Sequence, residues 1–222
     1  MEITGQAPDI WNLRSRARKA VAYLSGISDQ ELDSTIWSRL QNEQSPYLPR
    51  FERHEYPADL FIDIVYPVQN TQQVDLANRI RRACARLIGQ RSEGPITDAS
   101  TLGELVFLSA RIEAVDAVDP VARLASHQDA ESRLGNGQTL RAQALRALTG
   151  LLASHPERAN EFHKDIFQKW VKNSAFTLIA ATALVGLFNE DPKILKADLR
   201  ESGIRIDDPE LDLSLRVAGL KH

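Results

Sequence analysis

Apolar positions along this chain recur mostly at helical spacing rather than alternating, and the pattern predicts a succession of helices. Ile10, Leu13, Ala17, Val21 and Leu24 mark the buried face of a first helix that follows Asp9 and stops at Ser25-Gly26. Ser28-Asp-Gln-Glu31 is a capping box, in which hydroxyl and carboxylate satisfy each other's exposed backbone N–H groups. It opens a second helix carrying Leu32, Ile36 and Leu40. The pattern breaks between Asn42 and Tyr56, where Pro46, Pro49 and Pro57 each lack a backbone donor and turn the preceding residue away from helix. Asp59 to Val65 is read as a short helix started by Pro57, although Leu60, Ile62 and Ile64 also alternate as strand residues would. Val74, Ala77, Ile80, Cys84, Leu87 and Ile88 then share one helix face that ends near Gly89. Thr101-Leu-Gly-Glu104 reads as a second capping box ahead of Leu105, Leu108, Ile112 and Val115.

The stretch Ser174 to Phe188 has no charged side chain and no polar face, so it is expected in the middle of other helices. At fifteen residues it falls short of the roughly 20 that a bilayer span needs. Three dipeptides punctuate this half of the chain: Asp119-Pro120, His155-Pro156 and Asp191-Pro192, spaced by 36 residues. Proline suits the first position of a helix because its missing N–H has no partner there, and the residue before it serves as the cap. Helices are expected at Leu102 to Val115, Leu140 to Ala153 and Ala175 to Phe188. Each is followed by a second, at Pro120 to Ala130, Pro156 to Val171 and Pro192 to Ser202. The segment 204–217 alternates like a strand, yet Asp208-Pro209-Glu210 is a helix start, and a closing helix is the reading adopted.

Helix pairs repeating at this period are the sequence pattern of a helical solenoid, in which neighbours stack to cover flanks too apolar to stand alone. Arg141-Ala-Gln-Ala-Leu-Arg-Ala-Leu-Thr-Gly-Leu-Leu152 and Ala180-Ala-Thr-Ala-Leu-Val-Gly-Leu-Phe-Asn-Glu-Asp-Pro192 resemble the inner helices of HEAT and armadillo-type repeats. The resemblance covers Thr101 to Ser202. It implies an all-α fold, a right-handed α-solenoid or HEAT-like stack of antiparallel helix pairs with N-terminal capping helices. On this reading 1–222 is one helical domain: N-terminal helices and a Pro-rich loop (1–56), connecting helices (57–98), repeats (99–202) and a C-terminal cap (203–222).

Composition adds little that is distinctive. Hydrophobic residues at 43% and charged residues at 26% are ordinary for a globular chain. A single cysteine, Cys84, leaves no internal disulfide, and with no secretory pattern at the N-terminus a cytoplasmic location is expected. The net charge of −3 lies in the second half, and the chain lacks the basic surplus that phosphate neutralisation asks of a nucleic-acid-binding protein.

No Gly-rich phosphate loop, nucleophile elbow or metal-ligand spacing is present, so no catalytic, cofactor-binding or metal-binding residue is assigned. His155 and His163 are too far apart for a tight metal site, and His155 is read as a cap. Cys84 is read as a small core residue, with Arg81 and Arg82 able to lower its pKa only if it were exposed. The remaining chemistry lies in the arginines. Arg79, Arg82 and Arg86 share one side of their helix, and Arg14 with Arg18 repeats the arrangement in the first. Forked guanidinium groups at this spacing suit carboxylate or phosphate partners, and the alternative is a solvated face with Asp75 paired to Arg79. Trp37, like Trp11, flanks its apolar stripe, where a part-exposed aromatic would serve as a binding anchor and the alternative is a half-buried packing role.

Arg14, Arg18, Trp37, Arg79, Arg82 and Arg86 are therefore the candidate partner-binding residues. The function expected is a non-enzymatic module, an adaptor, regulatory subunit or inhibitor, that binds another protein and needs neither cofactor nor membrane. Two alternatives stand beside it. One is a nucleic-acid-binding HEAT-like protein, including a glycosylase of alkylated DNA. The other is a structural subunit of an obligate complex.

Overall fold

The computed structural model of the chain describes residues 10–51, 68, 73–135, 137–204 and 209–219, and in the first two helices it describes side chains from Ala17 to Gln41. Among these residues every regular element is a helix, and the one antiparallel bridge joins Arg133 to Thr139. Helix α1 (Ile10–Gly26) is followed by α2 (Asp29–Phe51). Both halves of the capping box between them form. The Ser28 N–H donates to Glu31 Oε2 at 2.9 Å, and the Glu31 N–H donates to Ser28 Oγ at 3.3 Å.

Helix α2 continues to Phe51, past the break expected at Asn42. Pro46 and Pro49 are thus accommodated within it, each at the cost of the backbone hydrogen bond that its nitrogen cannot donate. The segment 59–65 lies outside the described residues, as do 205–208. Helix α3 (Val74–Arg91) buries the expected face except for Val74, which is exposed in the first turn.

Helix α4 (Ala99–Arg111) starts two residues before the Thr101 box. Its cap is Asp98, whose carboxylate accepts from the Thr101 N–H at 3.0 Å and from the Thr101 hydroxyl at 2.7 Å. A carboxylate is the stronger acceptor, so Asp98 takes the position and Thr101 becomes a buried residue of the first turn. The chain leaves α4 through Glu113, whose φ of 54° is left-handed, into a 3-10 turn at Val115–Ala117.

Of the three Pro-containing starts, only one is built as expected. Helix α5 (Val118–Ser126) begins ahead of Pro120, and Asp119 binds Arg158 Nη2 at 2.8 Å instead of capping. After α6 (Leu140–Ser154), His155 makes no side-chain cap. The helix expected from Pro156 to Val171 is replaced by a 3-10 segment, Pro156–Glu161, and a π turn, His163–Gln168. The wider turn accompanies burial of the adjacent Ile166 and Phe167. Helix α7 (Thr177–Phe188) comes next, and α8 (Pro192–Glu201) is capped by Asp191, which accepts from the Lys193 N–H at 2.7 Å. The closing helix is α9 (Pro209–Gly219).

Packing follows from the apolar faces. Helices α4 and α5 both lie along α6, which in turn meets α7, and α7 is covered by α9 and the π turn. From Phe176 to Phe188 no side chain is exposed, as the absence of a polar face requires. Helix α3 contacts α1, α2, α4 and α5, so it links the first helices to the rest. One cluster of buried side chains runs from Leu24 to Ala218. No helix among the described residues is long and apolar enough to cross a membrane.

Candidate functional site

Helix α3 carries five arginines within thirteen residues, and its neighbours determine what each one does. Arg79 closes the end of α1: Nη2 donates to the Ile27 carbonyl at 2.6 Å, and Nη1 reaches those of Leu24 and Ser25, both at 3.4 Å. Its Nε binds Asp29 Oδ1 at 2.9 Å. Arg81 acts similarly on α4, with Nε donating to the Ile112 carbonyl at 2.9 Å. The last carbonyls of a helix have no partner within it and carry partial negative charge, which a guanidinium satisfies on both counts. Arg86 meets Asp33 through two bonds, Nε to Oδ2 at 3.1 Å and Nη2 to Oδ1 at 2.7 Å, joining α3 to α2. The Arg91 guanidinium carbon lies 4.5 Å from the centre of the Trp37 ring. Arg82 is exposed and has no bonded partner among the described residues.

Between α2 and α3 these side chains border a cleft of about 690 Å³, lined among others by Asp29, Asp33, Trp37, Arg86, Gln90 and Arg91. Both signs of charge are present. The hydrogen bond from Arg79 holds the Asp29 carboxyl below its usual range, against a smaller opposing effect of desolvation. Arg86 is held above its ordinary value by the bond to Asp33. Each acid is paired with an arginine, so the floor of the cleft is close to neutral and its rim is set by Gln90 and the exposed Arg91.

The sequence-predicted residues are not gathered into a single basic face. Arg79 and Arg86 point into ion pairs, and the partner of Arg79 is Asp29 rather than Asp75. Arg82 makes no ion pair among the described residues but lies near enough for its charge to act on Asp29, Arg18 is exposed on α1, and the Arg14 side chain lies outside the described residues. Trp37 is buried at 8% exposure, not part-exposed, because α3 and Arg91 cover the flank that was to be free. Cys84 is fully buried, and desolvation pushes its thiol up to about 12 despite the nearby arginines. His155 and His163 do not converge. His163 Nε2 pairs with Glu190 at 2.7 Å, and the described residues contain no group of three or more potential metal ligands.

Sequence reasoning missed Arg141, a 6% exposed arginine near the start of α6. Its Nε donates to the Ala125 carbonyl at 2.9 Å and Nη2 to that of His127 at 2.8 Å, closing α5 as Arg79 closes α1, while Nη1 binds Glu131. The signal was available: Arg141 is in phase with Leu145, Leu148 and Leu152, the wrong face for a solvated charge. Compared with known protein families, curated proteins and solved structures, the chain finds no match.

Proposed function

We propose that the chain is a helical-repeat binding module that holds a partner protein against the α2–α3 cleft. The reading of the second half as stacked repeats draws support from the order of packing, α4 on α6 and α6 on α7. HEAT-like stacks use such series to present long surfaces to other proteins.

The observation that carries the proposal is the mixed charge of the cleft. Asp29 and Asp33 stand beside Arg86 and Arg91, with Gln90 offering an amide between them. A polyanion such as nucleic acid would meet two carboxylates on approach, and the arginines best placed to neutralise phosphate are already bonded. A polypeptide carrying both acidic and basic side chains, with its own amides, matches the cleft group for group.

A photo-crosslinking residue at Gln90 tests this in lysate of the source cell. The expected result is one defined polypeptide adduct, and with that partner purified, Arg91→Glu weakens binding at least about tenfold, or 1.4 kcal/mol. Crosslinking to nucleic acid, or salt-sensitive retention on DNA that Arg82→Glu abolishes, would replace this reading with the nucleic-acid one.

A further inference from the structure

On the other flank of α3, away from the cleft, a second cavity of about 330 Å³ is lined by Asn78, Arg81, Arg82, Glu113, Val115, Asp116 and His155. Three segments meet there: the first half of α3, the turn between α4 and α5, and the residue that follows α6. The lining includes two arginines, Arg81 and Arg82, and two acids, Glu113 and Asp116. Among the described residues no arginine of this set lies within ion-pair distance of either carboxylate, although both signs face one cavity. Arg81 is held in place by the Ile112 carbonyl and by Asn78 Oδ1 at 3.2 Å, so it does not swing across to the acids. The side chains of Arg82, Glu113 and Asp116 have no bonded partner among the described residues, and all three residues are exposed.

An exposed ion pair gains little, so these side chains are free to meet a ligand instead of one another. Glu113 sits at φ 54°, a conformation that glycine adopts freely and other residues adopt at a cost. Glycine is the residue expected after a helix C-terminus, and its place is taken by one whose carboxylate borders the cavity.

We infer that this cavity binds a small zwitterion of the α-amino-acid or short-peptide class, its carboxylate on Arg81 and Arg82 and its ammonium on Glu113 and Asp116. The cavity's own charges decide the class. A polyanion meets Glu113 and Asp116, a metal cation meets two arginines, and only a ligand bearing both signs with no net charge satisfies the set. The volume is at the lower end of ligand sites, which suits a molecule of this size. Asn78 and His155 form the remaining walls. The Nε2 atom of His155 is buried without a hydrogen-bond partner among the described residues, and Nδ1 lies 3.5 Å from Glu157. The inference is independent of the partner protein proposed above, since it uses a different flank of α3.

Titration calorimetry of the full chain with L-alanine and L-alanyl-L-alanine, against acetate and methylamine as half-ligands, tests the inference. Binding of a zwitterion in the millimolar range, with each half-ligand at least about tenfold weaker, is the expected result. Two variants separate binding from folding. Glu113→Gly relieves the left-handed strain, so its Tm holds or rises while affinity falls about tenfold. Arg82→Gln removes a side chain with no bonded partner in the fold, so its Tm is unchanged while affinity falls similarly. Absence of heat and of amide chemical-shift change at Asn78 to Arg82 with either zwitterion would overturn the inference. So would acetate binding as tightly as L-alanine, or undiminished affinity in Glu113→Gly.

Discussion

The guanidinium of Arg141 lies with its central carbon 4.1 Å from the centre of the Trp170 ring, and its nitrogens at the same time close the carbonyl end of α5. Trp170 in turn meets Phe176 edge-on, with ring centres 5.4 Å apart, so one buried cation ties α5, α6 and the approach to α7 together. Desolvation lowers the Arg141 pKa from its ordinary value, and a guanidinium still remains charged at any physiological pH.

Arg141→Ala should therefore be among the most damaging single substitutions in the chain. It leaves the Ala125 carbonyl without its donor, that of His127 with the Ala130 N–H alone, and a gap beside Trp170, for a loss of about 3 kcal/mol in chemical denaturation. Arg141→Lys should recover less than half of this, because an ammonium cannot stack on the ring and reach both carbonyls together. Equal stability of the lysine variant and the parent would show that the planar geometry is unimportant.

Asp98 provides a test of the α4 boundary. Burial raises its pKa, but hydrogen bonds from the Thr101 hydroxyl, the Thr101 N–H and Gln41 outweigh that effect and hold it below the usual carboxylate value. Its folded pKa is depressed, so its contribution is present above the unfolded value near 3.8 and is lost as pH falls through the lower folded value. Asp98→Ala should cost about 1 kcal/mol at pH 7, with the difference from the parent shrinking toward pH 3. Thr101→Val measures the hydroxyl alone and should cost less.

Glu104 behaves in the opposite sense. Desolvation on α4 pushes its carboxyl up to about 7, with no compensating partner among the described residues. The folded form thus holds a proton that the unfolded chain releases near 4.5, and stability falls as pH rises from about 4.5 to 7. Glu104→Gln should stabilise the protein at pH 8 by on the order of 2 kcal/mol and change little at pH 4. Denaturant midpoints at the two pH values decide it. A pH-independent difference would exclude a titrating Glu104.

Cys84 offers a readout of global opening. Its thiol is fully buried and pushed up to about 12, so a thiol reagent at pH 8 should label the native chain only through unfolding. Labelling should accelerate steeply across the denaturation midpoint. Fast labelling under native conditions would show that α3 opens on its own.

Much of the helix layout was legible from spacing. The faces of α2, of α3 and of α1 from Ala17 onward, and the all-round burial of α7, follow from where apolar residues fall, because a helix fixes which positions share a side. Local capping chemistry was legible where one acceptor had no rival, as at Ser28 and Asp191. It failed where two competed: Asp98 displaced Thr101, and Asp119 was drawn to Arg158, a residue 39 positions away.

What the sequence alone determined is the helical class of the described chain and which faces turn inward, since both rest on periodicity and on nearest-neighbour hydrogen bonding. The tertiary structure decided the fate of the charges. Whether an arginine closes a distant helix, pairs across a cleft or stands free beside a cavity depends on which carbonyls and carboxylates the folded chain brings within about 3 Å of it, and no spacing rule along one helix encodes that distance.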